Sequence, residues 1–515
     1  MVGCHTRTTV ATPALRPMRA HPALPPCHVR CVQFLRTVMA ALRGAGRRGQ
    51  FHGGAPGSAF GVGSAVRDCS DPFGRRSDPV VADRVVGSEP DHMRRAREPC
   101  LAGHSRRIQA SRFSHRPEVD HQQKWSRHVD FELNEDQKAF RSVLRDFVDK
   151  EIMPVAIEWE HSGRYPTEIV DKMKEMGLFG ITIPEEYGGL DLDMVSFCLV
   201  YEEIARGWMG IAGILGSHGL SAWMIAHHGT EEQKQSMLPK LATGEWRTGI
   251  GLTEPGAGTD LQGIKTTARK EGDNYVIKGT KMWITNARHA DVLPVLVKTD
   301  PQAEPRHKGM SVLLVDTTLE GFSVSKDIGK LGYKGTESCE VVLDNVVVPA
   351  SALLGGVEGR GMQQVLSGLE IGRLNIAARS VGIAQAAWDA ALTYSTQREA
   401  FGKTISDFQA IQLKLAEIAT QLQASRLLTY WAAAKADGGE RVDMEAGMAK
   451  YFASEAAIIA SQEAMRVHGG YGYSTEYVVE RLYRDSILMS IGEGTNDIMK
   501  MIIAKSLTSG QTEIK

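Results

Sequence analysis

Helical periodicity begins abruptly at residue 134. Asn134 stands where an N-cap belongs, Gln137 follows three residues on, and Glu135 and Asp136 fill the first turn. Phe140, Val143, Leu144, Phe147, Val148 and Ile152 then recur at the spacing that puts apolar side chains on one helical face. That pattern predicts an amphipathic helix buried along one side. Helical patterns continue over 167–241, interrupted at Pro184 and at the Tyr187-Gly188-Gly189 turn. One of them encloses Glu202, Glu203 and Ile204, and another spans 231–241. An all-helical domain is expected over 128–245.

The period changes at Arg247. Short β-type runs at 275–277, 281–285, 292–297, 310–315, 322–325 and 340–348 alternate with glycine and charged turns. Close-set strands of this kind predict a small antiparallel barrel or sandwich over 246–355, closed by Pro349 and the glycines of 355–361. Beyond Gly361 the helical period returns. Phe408, Ile411, Leu415, Ile418 and Leu422 form the stripe of a bundle helix, and a further helix over 444–467 stops at Gly469-Gly470. The expected fold is α+β and multidomain: an all-α domain, a middle β-domain, and a four-helix bundle over 356–510.

Composition changes this picture only at the N-terminal end. The whole chain of 515 residues carries a formal net charge of −1, so no strongly charged partner is implied, and no uninterrupted apolar run reaches the ~18–20 residues of a membrane-spanning helix. Lys124, however, is the first lysine, and Arg, Pro, Gly, Ala and His crowd the residues before it. Cys4, Cys27, Cys31, Cys69 and Cys100 also lie there, leaving Cys198 and Cys339 for the remainder, too few for a disulfide framework. Three readings of 1–127 compete. A transit peptide is Arg-rich but acid-poor, and Asp68, Asp71, Asp78, Asp83, Glu89 and Asp91 spoil that match. A basic nucleic-acid-binding arm needs clustered arginines, and these are scattered. Translated GC-rich noncoding sequence fits best, because arginine, alanine, glycine and proline codons are GC-rich and lysine codons are not; a start near Val129 is then expected.

The candidate chemistry sits in 484–500, RDSILMSIGEGTNDIMK. One carboxylate, Glu493, lies between two glycines after an apolar approach through Ile487, Leu488, Met489 and Ile491. Desolvation raises a carboxyl pKa, and a glutamate tuned upward is an effective general base near neutrality. Gly492 and Gly494 leave space for a substrate beside it. Taken alone, the stretch reads equally as a helix-to-helix turn with an exposed glutamate. Neither a G-x-x-x-x-G-K loop nor a strand-to-helix G-x-G-x-x-G occurs in 128–515, and His227-His228 lacks metal-ligand company, so nucleotide hydrolysis, nicotinamide binding and a metal site are not indicated.

Further motifs join this one. LTEPGAGTD runs from Leu252 to Asp260, MWITNA follows on a predicted strand, REAFGK precedes Gln409, which lies eleven residues after Arg398, and HGGYGY begins at His468. In this order they resemble the acyl-CoA dehydrogenase family over roughly 129–508. The resemblance implies an FAD enzyme that converts an acyl-CoA thioester to a trans-2-enoyl-CoA and passes electrons to electron-transferring flavoprotein. It implies Glu493 as the base that takes the Cα proton while a hydride leaves Cβ for flavin N5, with the Glu493 N–H and a ribityl hydroxyl holding the thioester oxygen.

It further implies flavin contacts from Leu252, Thr253, Gly258, Thr259, Trp283, Ile284 and Thr285. Arg398, Gln409, Gly469 and Gly470 would hold the pyrophosphate and adenosine partly across a subunit interface, and Thr495 and Asn496 would add FAD contacts. Thr259, Arg373 and Gly494 would face the substrate. Plainer readings stand beside these: Trp283 as β-domain core, Arg373 as an ion pair, Gly469-Gly470 as a helix stop. Isovaleryl-CoA dehydrogenases carry their base on the helix that matches 369–378; Gly372 occupies that position here, so Glu493 is the base and Glu370 points elsewhere. Glutaryl-CoA dehydrogenases place an arginine where Ile211 stands, which disfavours a dicarboxylyl substrate and leaves short or branched acyl chains of fatty acid or amino acid catabolism preferred. His218 would either line the acyl pocket or be a satisfied core histidine. The family implies a homotetramer, or a dimer at least, expected in a bacterial cytoplasm or alternatively the mitochondrial matrix, with no nucleic-acid or membrane partner. A same-fold flavin oxidase or monooxygenase, and a non-catalytic nucleic-acid-binding member, are the competing readings.

Overall fold

Asn134 caps the first helix as the sequence predicts: Gln137 N donates to Asn134 Oδ1 at 2.8 Å, and Asn134 N donates to Gln137 Oε1 at 3.2 Å. The computed structural model describes residues 132–509; the arginine-rich first part, its five cysteines and the expected start near Val129 lie outside the described residues. Helix α1 (Glu135–Phe147) passes through a π turn (Val148–Ile152) into α2 (Met153–Ser162), and Phe140, Leu144, Val148 and Ile152 are all buried. Helices α3 (Thr167–Glu175), α4 (Met194–His228) and α5 (Glu231–Thr243) complete the first region.

Helix α4 organises the interior. It is predominantly apolar and nearly all of its residues are buried, so although it is long and apolar enough to cross a bilayer, it is the core helix of this fold. Its path breaks at Trp208, where φ −159° and ψ 109° leave the helical region. The break is stitched from outside, because Arg481 Nη2 donates to the Gly207 carbonyl at 2.7 Å.

Six strands follow: β1 (Thr267–Glu271), β2 (Asn274–Thr285), β3 (Val292–Lys298), β4 (Met310–Asp316), β5 (Phe322–Asp327) and β6 (Ser338–Pro349). They form a single sheet in the order β4-β3-β1-β2-β6-β5. The predicted barrel or sandwich is corrected here. The sheet is open, with β4 and β5 as edges, and mixed, because β1 meets β3 in parallel at Thr267 and Lys298. Strand β1 escapes hydrophobic patterning because TARKE turns only Ala268 inward. The two runs 275–277 and 281–285 belong to one strand, whose register against β6 shifts between Lys281 and Ile284.

Helices α6 (Gly361–Gln397), α7 (Gln409–Asp437), α8 (Asp443–His468) and α9 (Val478–Met489) make the bundle, with α10 (Asn496–Thr508) packed on α8. Small residues set its spacing. A Cβ at Gly382 of α6 would lie 2.2 Å from the Glu202 carbonyl of α4, and Ala449, Ala453, Ala457, Ala460 and Ala464 line the buried side of α8. Helix α6 therefore runs hard against α4, and these two helices frame the site.

Candidate active site

Glu493 lies in the turn between α9 and α10 with φ +54°, a left-handed conformation that few side-chain-bearing residues adopt, followed by Gly494 at φ +97°. Backbone strain of this kind clusters at functional sites. The residue is part-exposed as a whole, yet its carboxylate end is enclosed: Oε2 is shut from solvent and has no hydrogen-bond partner. Burial pushes its pKa above the ordinary carboxylate value, opposed by the charges of Arg379, Lys450 and Arg373.

Gly372 makes this placement possible. A Cβ at that position would sit 1.9 Å from Glu493 Oε2, so the carboxylate occupies the space a side chain would take. Glu370, two residues away, is turned aside and accepts from Val442 N at 2.7 Å. Arg373 is buried on the same helix, donating to Asp443 Oδ1 at 2.9 Å.

The turn itself is anchored from α8. Buried Lys450 donates to the Gly494 carbonyl at 2.8 Å and to Asn496 Oδ1 at 2.9 Å, and burial pulls its ammonium down to about 8. Asn496 in turn donates to Ser454 Oγ at 3.0 Å and to Glu455 Oε1 at 2.6 Å. Its side chain is turned inward and consumed in holding the turn, so only its main chain is left for the FAD contact expected of it. Thr495 caps α10, accepting from Ile498 N at 3.4 Å.

On the sheet side, Trp283 takes φ +64° and leaves 53% of its surface exposed, so it is not β-domain core. Met282 N donates to the Thr253 carbonyl at 2.7 Å, and Lys281 Nζ reaches the Leu252 carbonyl at 3.1 Å and Glu254 Oε1 at 2.9 Å. A buried ion pair thus fixes the Leu252-Thr253 loop to the strand carrying Trp283. Gly258 and Thr259 are exposed beyond it, whereas the Ile284 side chain is buried in the sheet core and offers only its main chain. Thr285 lies near the Tyr333 hydroxyl.

Arg398, Gly469 and Gly470 line a separate hollow of 470 Å³ with Tyr394, Ile405, Val467, His468 and Tyr471. A Cβ at Gly469 or Gly470 would meet nothing within 4 Å, and Gln409 is exposed at the start of α7. His218 belongs elsewhere. It is fully buried, its Nε2 lies 3.1 Å from the Leu241 carbonyl, and its ring meets Phe179 edge-on, so it is a core histidine and not a pocket residue.

This donor set fits a flavin dinucleotide: a half-exposed indole on a constrained strand, exposed hydroxyls, open glycines and an arginine at a hollow. Models of the acyl-CoA dehydrogenase N-terminal, middle and C-terminal domains match residues 134–245, 249–346 and 359–508. The chain belongs to the acyl-CoA dehydrogenase family. It is similar to 3-(aryl)acrylate reductase of Clostridium sporogenes, 43% identical over 73% of this chain and 99% of the relative. It is likewise similar to the CarC subunit of the caffeyl-CoA reductase-Etf complex of Acetobacterium woodii, 40% identical over 73% and 99%. Among solved structures, butyryl-CoA dehydrogenase of Megasphaera elsdenii superposes with a TM-score of 0.72 at 37% identity, covering 74% of this chain and 100% of that one. A Mycobacterium smegmatis glutaryl-CoA dehydrogenase in complex with FADH2 gives 0.70 at 31%, covering 74% and 97%. This acyl-CoA dehydrogenase is accordingly an oxidoreductase that uses FAD.

Sequence reasoning overlooked several residues that the dehydrogenase gathers around Glu493. Lys450 was detectable as a lone lysine in an apolar helix, GMAKYFAS. Arg379 stands seven residues, about two turns, beyond Gly372 on the same helix, a spacing that places both on one face. Tyr333 comes from the loop before β6 and carried no sequence signal.

Proposed function

We propose that the protein performs α,β-dehydrogenation of an acyl-CoA thioester with Glu493 as the base. The observation that carries this reading is the enclosed, unpartnered Glu493 carboxylate seated in the space left by Gly372. A carboxylate without hydrogen bonds in a desolvated site holds a proton more readily than one in water. The Glu493 N–H donates to no backbone carbonyl, which leaves it for the thioester oxygen, where it stabilises the charge that develops as the Cα proton departs. The Cα–H bond gives its proton to Glu493, the carbon–carbon double bond forms, and the Cβ hydrogen leaves with its electron pair. Bound FAD supplies the acceptor for that pair.

Leu252, Thr253, Thr259, Trp283 and Thr285 would hold the ring system, and Arg398, Gln409, Gly469 and Gly470 the distal part of the cofactor. Phe401, Leu413 and Tyr473 are 97%, 64% and 88% exposed, close in sequence to Arg398, Gln409 and Gly470. Large apolar groups exposed at a cofactor site support a second copy of the chain covering it, and a tetramer is the assembly we assign. Electron-transferring flavoprotein is the assigned acceptor, a reading supported by the Etf complex to which the Acetobacterium woodii relative belongs.

The test is Glu493→Gln, which keeps the shape and removes the base. The variant should remain yellow while steady-state turnover with an acyl-CoA falls about 10²–10⁴-fold. Turnover within a few-fold of the parent would refute the assignment.

A further inference from the structure

Three buried cations act on Glu493, and they differ in what else they hold. Arg373 has Asp443, and Lys450 has a carbonyl and an amide oxygen. Arg379 is only 4% exposed and has no carboxylate within ion-pair distance among the described residues. Its Nη2 lies 2.8 Å from the Met209 sulfur, its Cζ stands 5.4 Å from the centre of the Tyr333 ring, and its Nε has no partner. A guanidinium does not shed its proton in a protein, and a buried charge without an opposite charge is costly. Glu493 offers partial compensation through space, but it becomes neutral once it takes a proton. At that moment Arg379 requires another anion.

The surroundings of this guanidinium are polar. Tyr201 Oη and Asn375 Oδ1 are buried without partners, and the Tyr333 ring faces Arg379. Helix α4 gives up side-chain volume to accommodate these groups. A Cβ at Gly213 would lie 1.8 Å from Tyr333 Oη, one at Gly216 2.5 Å from Asn375 Nδ2, and one at Gly219 2.9 Å from Tyr201 Oη. A pocket for a plain hydrocarbon tail would present apolar side chains, with few polar groups and those placed for orientation.

We infer that the acyl pocket takes an acyl-CoA whose acyl chain ends in a carboxylate, bound by Arg379 with Tyr201, Tyr333 and Asn375 beside it. The inference rests on the dehydrogenase reading and names its substrate class. It also revises the expectation drawn from Ile211, because the cation is supplied by α6 instead of α4. Seven helical residues separate Arg379 from Gly372 by about 10 Å, and helical side chains lean toward the N-terminus, so the guanidinium approaches the base and the acyl chain is short.

The experiment compares glutaryl-CoA with pentanoyl-CoA, equal in carbon number and differing in a terminal carboxylate against a methyl group. The full-length FAD-loaded protein is used, with flavin bleaching and kcat/KM as readouts. Glutaryl-CoA should be preferred by about 10-fold or more, and Arg379→Met should lower that preference ratio by about 10²-fold, chiefly through KM, with Arg379→Lys restoring part of it. Taking the ratio cancels any effect of the variant on Glu493 itself. The monomethyl ester of glutaryl-CoA tests the unaltered protein should Arg379→Met fail to fold, and a loss of preference on esterification supports the assignment. Preference for pentanoyl-CoA, or a ratio unmoved by Arg379→Met, overturns it while leaving the dehydrogenase intact. Bleaching by no thioester removes the dehydrogenase reading and this assignment with it.

Discussion

Gly372 and Glu493 act as one unit. The absence of a side chain at 372 is what admits the carboxylate, so Gly372→Ala should displace the base by about an ångström and lower kcat by roughly 10²-fold. Circular dichroism and retained FAD absorbance would confirm that the fold survives; unchanged kcat would mean that the carboxylate does not need this seat. The pH profile carries a second prediction. Burial raises the Glu493 pKa, and the base works only when ionised, so activity rises as pH climbs through that raised value. Lys450 opposes the rise, so Lys450→Met should move the acidic limb of kcat/KM to higher pH, and a limb moved to lower pH would contradict the electrostatic account. For stability the sign is reversed: a carboxyl raised in the folded state binds more protons there than in the unfolded chain, so its contribution is lost as pH rises through the raised pKa.

Among elements, the α4 and α6 pair decides the geometry. Their backbones meet at Gly382, where a Cβ would lie 2.2 Å from a carbonyl oxygen, an atom that cannot swing away. Gly382→Ala should therefore destabilise by about 1–3 kcal/mol and lower Tm, measured by thermal unfolding; an unchanged Tm would show that the helices can part without cost. The helices were legible from their period because burial on one face imposes it, and the capping box at Asn134 located the first of them. Strand β1 was not, since a run of polar and charged residues with one inward alanine has no period to detect. The open sheet also lay beyond reach, because alternation within strands says nothing about which strands stay unpaired. The same limit hid Arg379: the sequence shows a second arginine on the helix of Arg373 but not which groups the neighbouring helix sets against it. Glu493 was legible because glycines on both sides of a carboxylate after an apolar run are a local feature.

At the scale of the molecule, all three family matches fall between residues 134 and 508, and the relatives align to 73% of the chain while being covered almost completely themselves. The chemistry therefore resides in that part. Removal of residues 1–127 should leave FAD content, Tm and kcat/KM for the preferred thioester unchanged; loss of bound FAD on removal would contradict the account. The central claim is that Glu493 removes a proton from the acyl chain, and the most direct measurement isolates that half-reaction from any electron acceptor. Anaerobic rapid mixing of the protein with an acyl-CoA thioester follows the loss of flavin absorbance in the parent and in Glu493→Gln. Rapid bleaching in the parent, with the variant binding the thioester but staying yellow, is the predicted result. Bleaching of both at similar rates would contradict it.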